Sequence, residues 1–223
     1  RRGMCAPTPI PYASDVRGEP LTFAGDGFWM DWGAEIRKYP AFGPVIRVRR
    51  GEIKLRPLGF GDGRLFGWSE GGPLSSAEDP RGTPVDVGSA GSALDRTLAA
   101  NGAEVYFYRG GLVKVREGKE MPLGQGPPGA EGRPIDLALG PATIYVAVVG
   151  ATPPTAGGRQ EYRSALFSTN RDGGDGRVLA EGHIINAVAT DPRWVYWSDD
   201  GSLFCARHGQ ERRRRLGADP PFL

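Results

Sequence analysis

Hydrophobic residues along this chain occur in short runs, which glycine, proline and acidic residues separate. Within 185–217 the runs are INAVATD, WVYWSD, SLFCARH and ERRRRLG, and within 93–124 they are ALDRTLAANG, EVYFYRG, LVKVREG and EMPLG. The 3.6-residue period of an amphipathic helix does not run through them. The dipeptides Asp200-Gly201 and Gly110-Gly111 suit hairpin turns, which need positive φ angles. The pattern therefore predicts many short β-strands, as in a sandwich, a barrel or a propeller.

The same local pattern returns at regular distances along the chain. The stretch DPRWVYWSDDGSL at 191–203 matches DGRLFGWSEGGPL at 62–74, and weaker copies stand at 27–33, 101–113 and 140–150. The marker position in successive copies is Trp29, Trp68, Phe107, Val146 and Trp197. The intervals are 39, 39, 39 and 51 residues, so one repeated unit accounts for the chain and the last interval contains an insertion.

A unit of four short strands favours the propeller, because each propeller blade is a four-stranded antiparallel sheet. We predict a single all-β propeller domain over 19–217. Its blades are expected at about 19–50, 51–91, 92–131, 132–182 and 183–217. Residues 1–18 would provide the strand or strands that close the ring, and residues 218–223 would form a C-terminal tail. Five blades are visible, and a six-bladed parent protein stays open.

The repeated aromatic and acidic positions are expected to be structural. Adjacent blades pack face to face, so large flat side chains on the middle strands would fill the space between blades. An acidic residue two positions after the marker can accept hydrogen bonds from nearby backbone. The predicted structural positions are Trp29, Asp31, Trp68, Glu70, Tyr106, Phe107, Tyr145, Tyr196, Trp197 and Asp199.

The stretch VYWSDDGSLF at 195–204 resembles the YWTD repeats of low-density-lipoprotein-receptor-type β-propellers. Tyr196 to Asp199 match that four-residue motif in full, 28–31 match at the tryptophan and the aspartate, and LFSTNRDGGDGRVLAEG at 166–182 is similar to the family's third and fourth strands. Gly67, Arg109 and Val148 depart from the motif. The degenerate copies are also similar to the broader TolB-like group of bacterial exported propellers. The resemblance implies a binding platform and does not imply catalysis.

The net charge and the hydropathy pattern bear on the kind of partner and on the location of the protein. The formal net charge of +2 is too small to imply nucleic acid as an obligatory partner. No apolar run is long enough for a transmembrane helix, and the first residues, RRGMC, do not have a signal-peptide core. A chain that begins with Arg1 is consistent with removal of an export signal, so we expect an extracytoplasmic protein that is secreted, periplasmic or surface-associated.

The two cysteines, Cys5 and Cys205, stand near opposite ends of the chain. They could form a disulfide that joins the N-terminal strand to the last blade, or they could be two unrelated small apolar residues. An oxidising location outside the cytoplasm would favour the disulfide.

Few residues suit catalysis or metal binding. The chain has only two histidines, which excludes a three-histidine zinc site. We expect His208 to be solvated in a turn and His183 to lie near one mouth of the central channel. First strands line that channel, where calcium could bind if oxygen ligands converged. The candidates for this alternative are Asp95, Asp136, Asn186 and His183.

Three further segments have both a structural and a functional interpretation. NRDGGDG at 170–176 is interpreted as a glycine-rich hairpin turn, because it does not have the downstream glutamate of a calcium loop. RRRR at 212–215 is expected on an outermost strand, where charge discourages edge-to-edge pairing, although it could also bind an anion. GATPPTAGGRQEY at 150–162 is either an embellishment or a contact loop.

The sequence therefore predicts an exported β-propeller that binds a protein or other surface ligand through one face of the ring. It would act as a monomer or as part of a larger assembly, with no cofactor. The alternative is a metal-dependent, lactonase-like enzyme with a site in the central channel.

Overall fold

The structure is a computed structural model. It describes residues 19–24, 27–32, 34–40, 44–69, 73–87, 97–128, 130, 132–151, 162–182, 184–210 and 213–216. Within these ranges the chain forms β-strands joined by turns, with one short 3₁₀ helix at Arg50–Glu52. The described ranges contain no helix with the length and hydropathy that a membrane crossing needs.

Twenty strands of the described residues form five four-stranded antiparallel sheets, each with its strands in chain order. Blade 1 contains β1 (Glu19–Ala24), β2 (Gly27–Asp31), β3 (Glu35–Pro40) and β4 (Ile46–Arg49). Blade 2 contains β5 (Leu55–Gly61), β6 (Arg64–Ser69), β7 (Leu74–Ala77) and β8 (Val85–Asp86). Blade 3 contains β9 (Leu98–Asn101), β10 (Glu104–Tyr108), β11 (Leu112–Arg116) and β12 (Lys119–Gly124).

Blade 4 contains β13 (Arg133–Leu139), β14 (Thr143–Ala151), β15 (Tyr162–Asn170) and β16 (Arg177–Gly182). Blade 5 contains β17 (Ile185–Thr190), β18 (Trp194–Asp199), β19 (Ser202–Arg207) and β20 (Arg214–Leu216). The five sheets are the blades of an all-β, five-bladed propeller, which confirms the predicted fold class.

Two-residue turns close several hairpins of these blades. Asp200 and Gly201 connect β18 to β19 with φ angles of 45° and 73°, as the dipeptide predicted. Asp62 and Gly63 connect β5 to β6 with φ angles of 48° and 71°. Positive φ at both central residues is the geometry of a type I′ turn, whose twist matches that of the flanking strands.

The first strands are irregular at a recurring place. The pairing register of the first two strands shifts between Pro20 and Thr22, between Pro57 and Gly59, between Pro134 and Asp136, and between Ile185 and Ala187. Such β-bulges redirect side chains. Residues at similar sequence offsets on different first strands therefore need not point to the same place.

Contacts divide the described chain into two compact units. The N-terminal unit contains 19–109 and 113–122, and the C-terminal unit contains 110–112 and the described residues from 123 onward. In the N-terminal unit one apolar cluster includes Trp29 and Leu65, and another includes Trp68 and Phe107, whose rings meet edge to face at 5.8 Å. Burial of large apolar side chains from neighbouring blades provides the main stabilisation.

The C-terminal unit has a cluster that joins blades 4 and 5. Its largest side chain is Trp197, which is 1% exposed and stacks on Phe204 with the ring centroids 5.9 Å apart. Tyr145 and Val188 contribute from the neighbouring strands. The Asp199 carboxylate accepts the Ile184 N–H at 3.3 Å.

Several predicted features fall on residues that the structure does not describe. The closing strand at 1–18, Cys5, Glu70, Asp95 and His183 lie outside the described residues, as do the tail and positions 152–161 of the insertion. Asp31 ends β2, but its side chain is also outside the description. The two ends of the insertion prolong a hairpin, because Gly150 pairs with Arg163 and Ala151 with Tyr162.

Candidate functional site

An open cleft of about 530 Å³ lies on one face of blades 4 and 5. Three connections form its walls, which are the β13–β14 turn, the β17–β18 turn and the β19–β20 turn. In an antiparallel blade the connection between the first and second strands and the connection between the third and fourth strands lie at the same end of the sheet. The lining residues are Pro141, Ala142, Thr143, Pro192, Arg193, Arg207, His208, Gly209 and Gln210.

His208 links the two blades at the base of this cleft. Its Nε2 lies 2.7 Å from the Asp191 carbonyl oxygen, and its Nδ1 lies 2.8 Å from the Tyr145 hydroxyl. Because a carbonyl only accepts, Nε2 carries the proton, and in the neutral ring Nδ1 accepts the Tyr145 O–H. The expectation that His208 is merely solvated in a turn is therefore wrong, because the fold brings Tyr145 to it from 63 residues away.

Asp191 builds the turn that carries Arg193. Its Oδ1 accepts the N–H groups of Arg193 at 2.6 Å and Trp194 at 2.7 Å, and its Oδ2 accepts the Tyr196 hydroxyl at 2.8 Å. Burial opposes the charge, but hydrogen bonds from Arg193, Tyr196 and Trp194 outweigh it and hold the pKa of Asp191 below its ordinary value. The carboxylate thus fixes the turn.

Tyr196 is expected to ionise late and to stabilise the fold up to high pH. Burial and the hydrogen bond to Asp191 raise the pKa of Tyr196 to about 12, above the ordinary value of roughly 10. Because the folded-state pKa is raised, its contribution to stability is full below about pH 10 and is lost as pH rises through about 12. An ultraviolet titration of Tyr196→Phe should lack one ionisation step near pH 12. An unchanged titration curve would contradict this assignment.

Two arginines give the cleft its charge. Arg193 and Arg207 are both exposed and both line the cleft. Among the described residues, neither guanidinium has a hydrogen-bond or ion-pair partner. The described lining contains these two arginines and no acidic side chain, so its side chains carry a net positive charge.

Other turns at this end of blade 4 support the wall of the cleft. Arg171 donates a hydrogen bond to the Gly140 carbonyl at 2.7 Å, which ties the β15–β16 turn to the β13–β14 turn. Asn170 Oδ1 accepts the N–H groups of Asp172 and Gly174, both at 2.9 Å. The stretch 170–176 is therefore a glycine-rich hairpin turn, as predicted.

Asp136 joins the innermost strands of blades 4 and 5. Its Oδ1 accepts the Leu137 N–H and its Oδ2 accepts the Val188 N–H, both at 2.8 Å. Burial raises the pKa of the Asp136 carboxyl, although the two N–H groups act in the opposite direction. The side chain lies at the β13 bulge and serves as a clamp between two strands.

Of the four channel candidates, the structure describes only Asp136 and Asn186. Asn186 is exposed on β17, whereas Asp95 and His183 lie outside the described residues. In the part of the chain that is described, no group of three or more His, Cys, Asp or Glu side chains is placed to hold a metal ion. Calcium binding in the channel stays a prediction of the sequence.

Cys205 and the arginine run have clear positions. Cys205 is fully buried on β19 and is disulfide-bonded. Cys5 lies outside the described residues, so the pairing itself stays a prediction. Arg214 and Arg215 lie on β20, the outermost strand of blade 5, as predicted for the run at 212–215.

Sequence reasoning missed the cleft residues. In the sequence, Arg193 differs in no way from Arg64, with which it aligns in the second copy of the repeat. Arg207 lies outside every motif that was recognised. A usable signal was the difference in charge between the two copies. The ungapped match of 62–74 with 191–203, continued four residues further, places Glu78 opposite Arg207.

Comparison with known proteins supports the fold. No protein-family model and no curated protein matches the chain. A chain in the crystal structure of a nidogen/laminin complex superposes with a TM-score of 0.63 at 13% identity, covering 88% of this chain and 78% of that chain. At this identity the likeness shows a β-propeller and nothing about activity.

Two further structures are similar over most of this chain but carry no argument at their TM-scores. PorZ, a surface component of the type-IX secretion system of Porphyromonas gingivalis, has a TM-score of 0.48 at 13% identity, with 90% of this chain and 28% of that chain covered. The N-terminal domain of Nup159 has a TM-score of 0.47 at 10% identity, with 89% and 64% covered.

Proposed function

We propose that this protein is a binding module that recognises a protein partner through the end of blades 4 and 5 that carries the cleft. The open cleft of about 530 Å³ carries this proposal, because it is a concave surface within a rigid framework. The His208 and Asp191 hydrogen bonds hold two of its walls in place, so little ordering is needed when a partner binds.

An extracytoplasmic location is part of this proposal. The disulfide at Cys205 supports it, because disulfides persist in oxidising compartments. The chain of similar fold comes from a crystal structure of a nidogen/laminin complex, and its presence in a protein complex supports protein recognition by a propeller. The YWTD-like stretch at 195–204 supports the same class of function by resemblance.

The test is an unbiased selection of displayed random peptides on the immobilised full chain. Selected peptides are expected to bind the wild type and to lose at least about tenfold in affinity for Ala142→Trp, because an indole there would fill the cleft. Titration calorimetry with synthetic peptides measures the loss.

A matched control uses the same substitution in a comparable turn. Ala103 is exposed in the β9–β10 turn of blade 3, and Ala103→Trp should leave peptide binding unchanged. Peptides that bind Ala142→Trp as tightly as they bind the wild type would contradict the proposed site.

A further inference from the structure

The arginines of the cleft differ from the corresponding part of blade 2. There Arg64 donates to the Ser76 hydroxyl at 3.2 Å and lies 3.9 Å from the Glu78 carboxylate. Blade 5 has Arg193 at the position of Arg64 and Arg207 at the sequence position of Glu78. In the sequence match, the position that holds a glutamate near Arg64 in blade 2 therefore holds a second arginine in blade 5.

The two guanidinium groups start from well-positioned backbone. Arg193 lies in the turn in which the Asp191 carboxylate accepts two backbone N–H groups. The backbone N–H of His208 also donates a hydrogen bond to the Arg193 carbonyl at 3.2 Å. Arg207 ends β19 and pairs with Trp194 of β18. Both side chains line the cleft, and no carboxylate among the described residues forms a hydrogen bond or an ion pair with either guanidinium. Guanidinium groups that have no carboxylate partner within the protein favour planar carboxylate ligands, which they can bind through two parallel hydrogen bonds.

We infer that the cleft binds an acidic peptide segment, in which Arg193 and Arg207 contact aspartate or glutamate carboxylates. This inference rests on the proposed function and names the chemistry of the partner. Thr143 and Gln210 add neutral hydrogen-bonding groups beside the arginines, which suits a peptide backbone.

A peptide fits the observations better than a polyanion. The described lining of the cleft contains two arginines, which are fewer cations than a nucleic acid or a sulfated polysaccharide, with its long run of charges, would need. Two arginines in one bounded cleft match a short segment with a few carboxylates. Charge complementarity of this kind mainly provides specificity and a fast association rate.

The experiment measures binding of defined probes to the full chain by fluorescence anisotropy. The probes are a labelled peptide with four glutamates spaced by serine and glycine, the same peptide with glutamine in place of glutamate, and a labelled heparin oligosaccharide. The glutamate peptide is expected to bind at least about tenfold more tightly than the glutamine peptide and to weaken as salt rises.

Substitutions assign the binding to the two arginines. Arg193→Ala and Arg207→Ala should each weaken the glutamate peptide by about five- to twentyfold, because each removes charge-assisted hydrogen bonds. Arg49→Ala removes one charge from an exposed position on β4 and should leave binding unchanged. Circular dichroism of each variant verifies that it is folded.

Three results would overturn the inference. They are equal binding of the two peptides, equal effects of Arg193→Ala and Arg49→Ala, and arginine-dependent binding of heparin without binding of the peptide. The display selection distinguishes this failure from failure of the proposed function. Neutral selected peptides that Ala142→Trp blocks would keep the proposed site and reject its acidic ligand, whereas no effect of Ala142→Trp would reject the site.

Discussion

Gly67→Ala is expected to lower the free energy of unfolding by roughly 2–4 kcal/mol, because a side chain at this position has no room. Gly67 lies in the middle of β6, and an added Cβ would overlap the carbonyl oxygen of Arg56 on β5. It would also stand 2.8 Å from the Arg56 carbonyl carbon. Both obstacles are backbone atoms within a paired sheet, so they can move only if the ladder is distorted.

This geometry explains a departure in the repeat. Each of the other four copies carries an aromatic residue where the second copy has Gly67, namely Phe28, Tyr106, Tyr145 and Tyr196. The β5 strand bulges between Pro57 and Gly59, directly opposite, and its backbone approaches β6 too closely for a side chain. The glycine is therefore a steric requirement of blade 2.

Urea unfolding of Gly67→Ala and Gly51→Ala, monitored by tryptophan fluorescence, checks this prediction. Gly51 is a suitable control, because a Cβ there would meet no atom within 4 Å. Its substitution should change stability by no more than about 0.5 kcal/mol. If Gly67→Ala were as stable as Gly51→Ala, the close approach of the two strands would be wrong.

Lys114→Met is expected to lower the free energy of unfolding by roughly 2–3 kcal/mol, because it leaves the Glu104 carboxylate without its nearest cation. Lys114 Nζ lies 2.9 Å from Glu104 Oε1, and the lysine is buried on β11 of blade 3. The Tyr106 hydroxyl donates to Glu104 Oε2 at 2.7 Å, and Arg116 stands 3.7 Å away. Because the Tyr106 hydroxyl and Arg116 stay near the Glu104 carboxylate, the loss of stability is smaller than it would be for a buried charge with no partner at all.

The same pair predicts a dependence on pH. Burial opposes the charge of Glu104, but hydrogen bonds from Lys114 and Tyr106 outweigh it and lower the pKa of the carboxyl. Because the folded-state pKa is lowered, the contribution to stability is present above the ordinary carboxyl pKa of about 4 and is lost as pH falls through the lower value. Glu104→Gln should not show this part of the acid destabilisation.

A double-mutant cycle separates the pair from its surroundings. Lys114→Met with Glu104→Gln should be more stable than the sum of the single changes, because no unpaired charge then remains. Arg116→Met is the control, since that guanidinium is largely exposed and its ion pair should contribute less than about 1 kcal/mol. Additive single and double changes would contradict coupling between Lys114 and Glu104.

Most of the fold could be predicted from short-range sequence patterns, namely the hydrophobic runs and the turn dipeptides. The hydrophobic runs of blade 5 correspond to β17 to β20 within a few residues, and Asp200-Gly201 forms the turn that its dipeptide indicated. These features depend on neighbours in the chain, since strand pairing through two-residue turns joins adjacent segments. The repeated unit of four short strands then favoured a propeller over a sandwich or a barrel.

The candidate site was much less predictable. Asp136 appeared as a possible channel ligand, but the bulge beside it and the approach of Val188 made it a clamp between two strands. His208 appeared as a solvated turn residue, but it bonds Tyr145 of the neighbouring blade. Arg193 looked like one member of a repeat, and only its surroundings distinguish it from Arg64.

Local sequence patterns were sufficient to predict an all-β chain of repeated four-stranded units, because strands and turns depend on residues that are close together in the chain. Contacts between distant polar residues became evident only in the folded protein. The contacts of Asp136 with Val188 and of Tyr145 with His208 join residues 52 and 63 positions apart. Such contacts depend on how blades pack and where strands bulge, so the basic cleft appears only once blades 4 and 5 stand side by side.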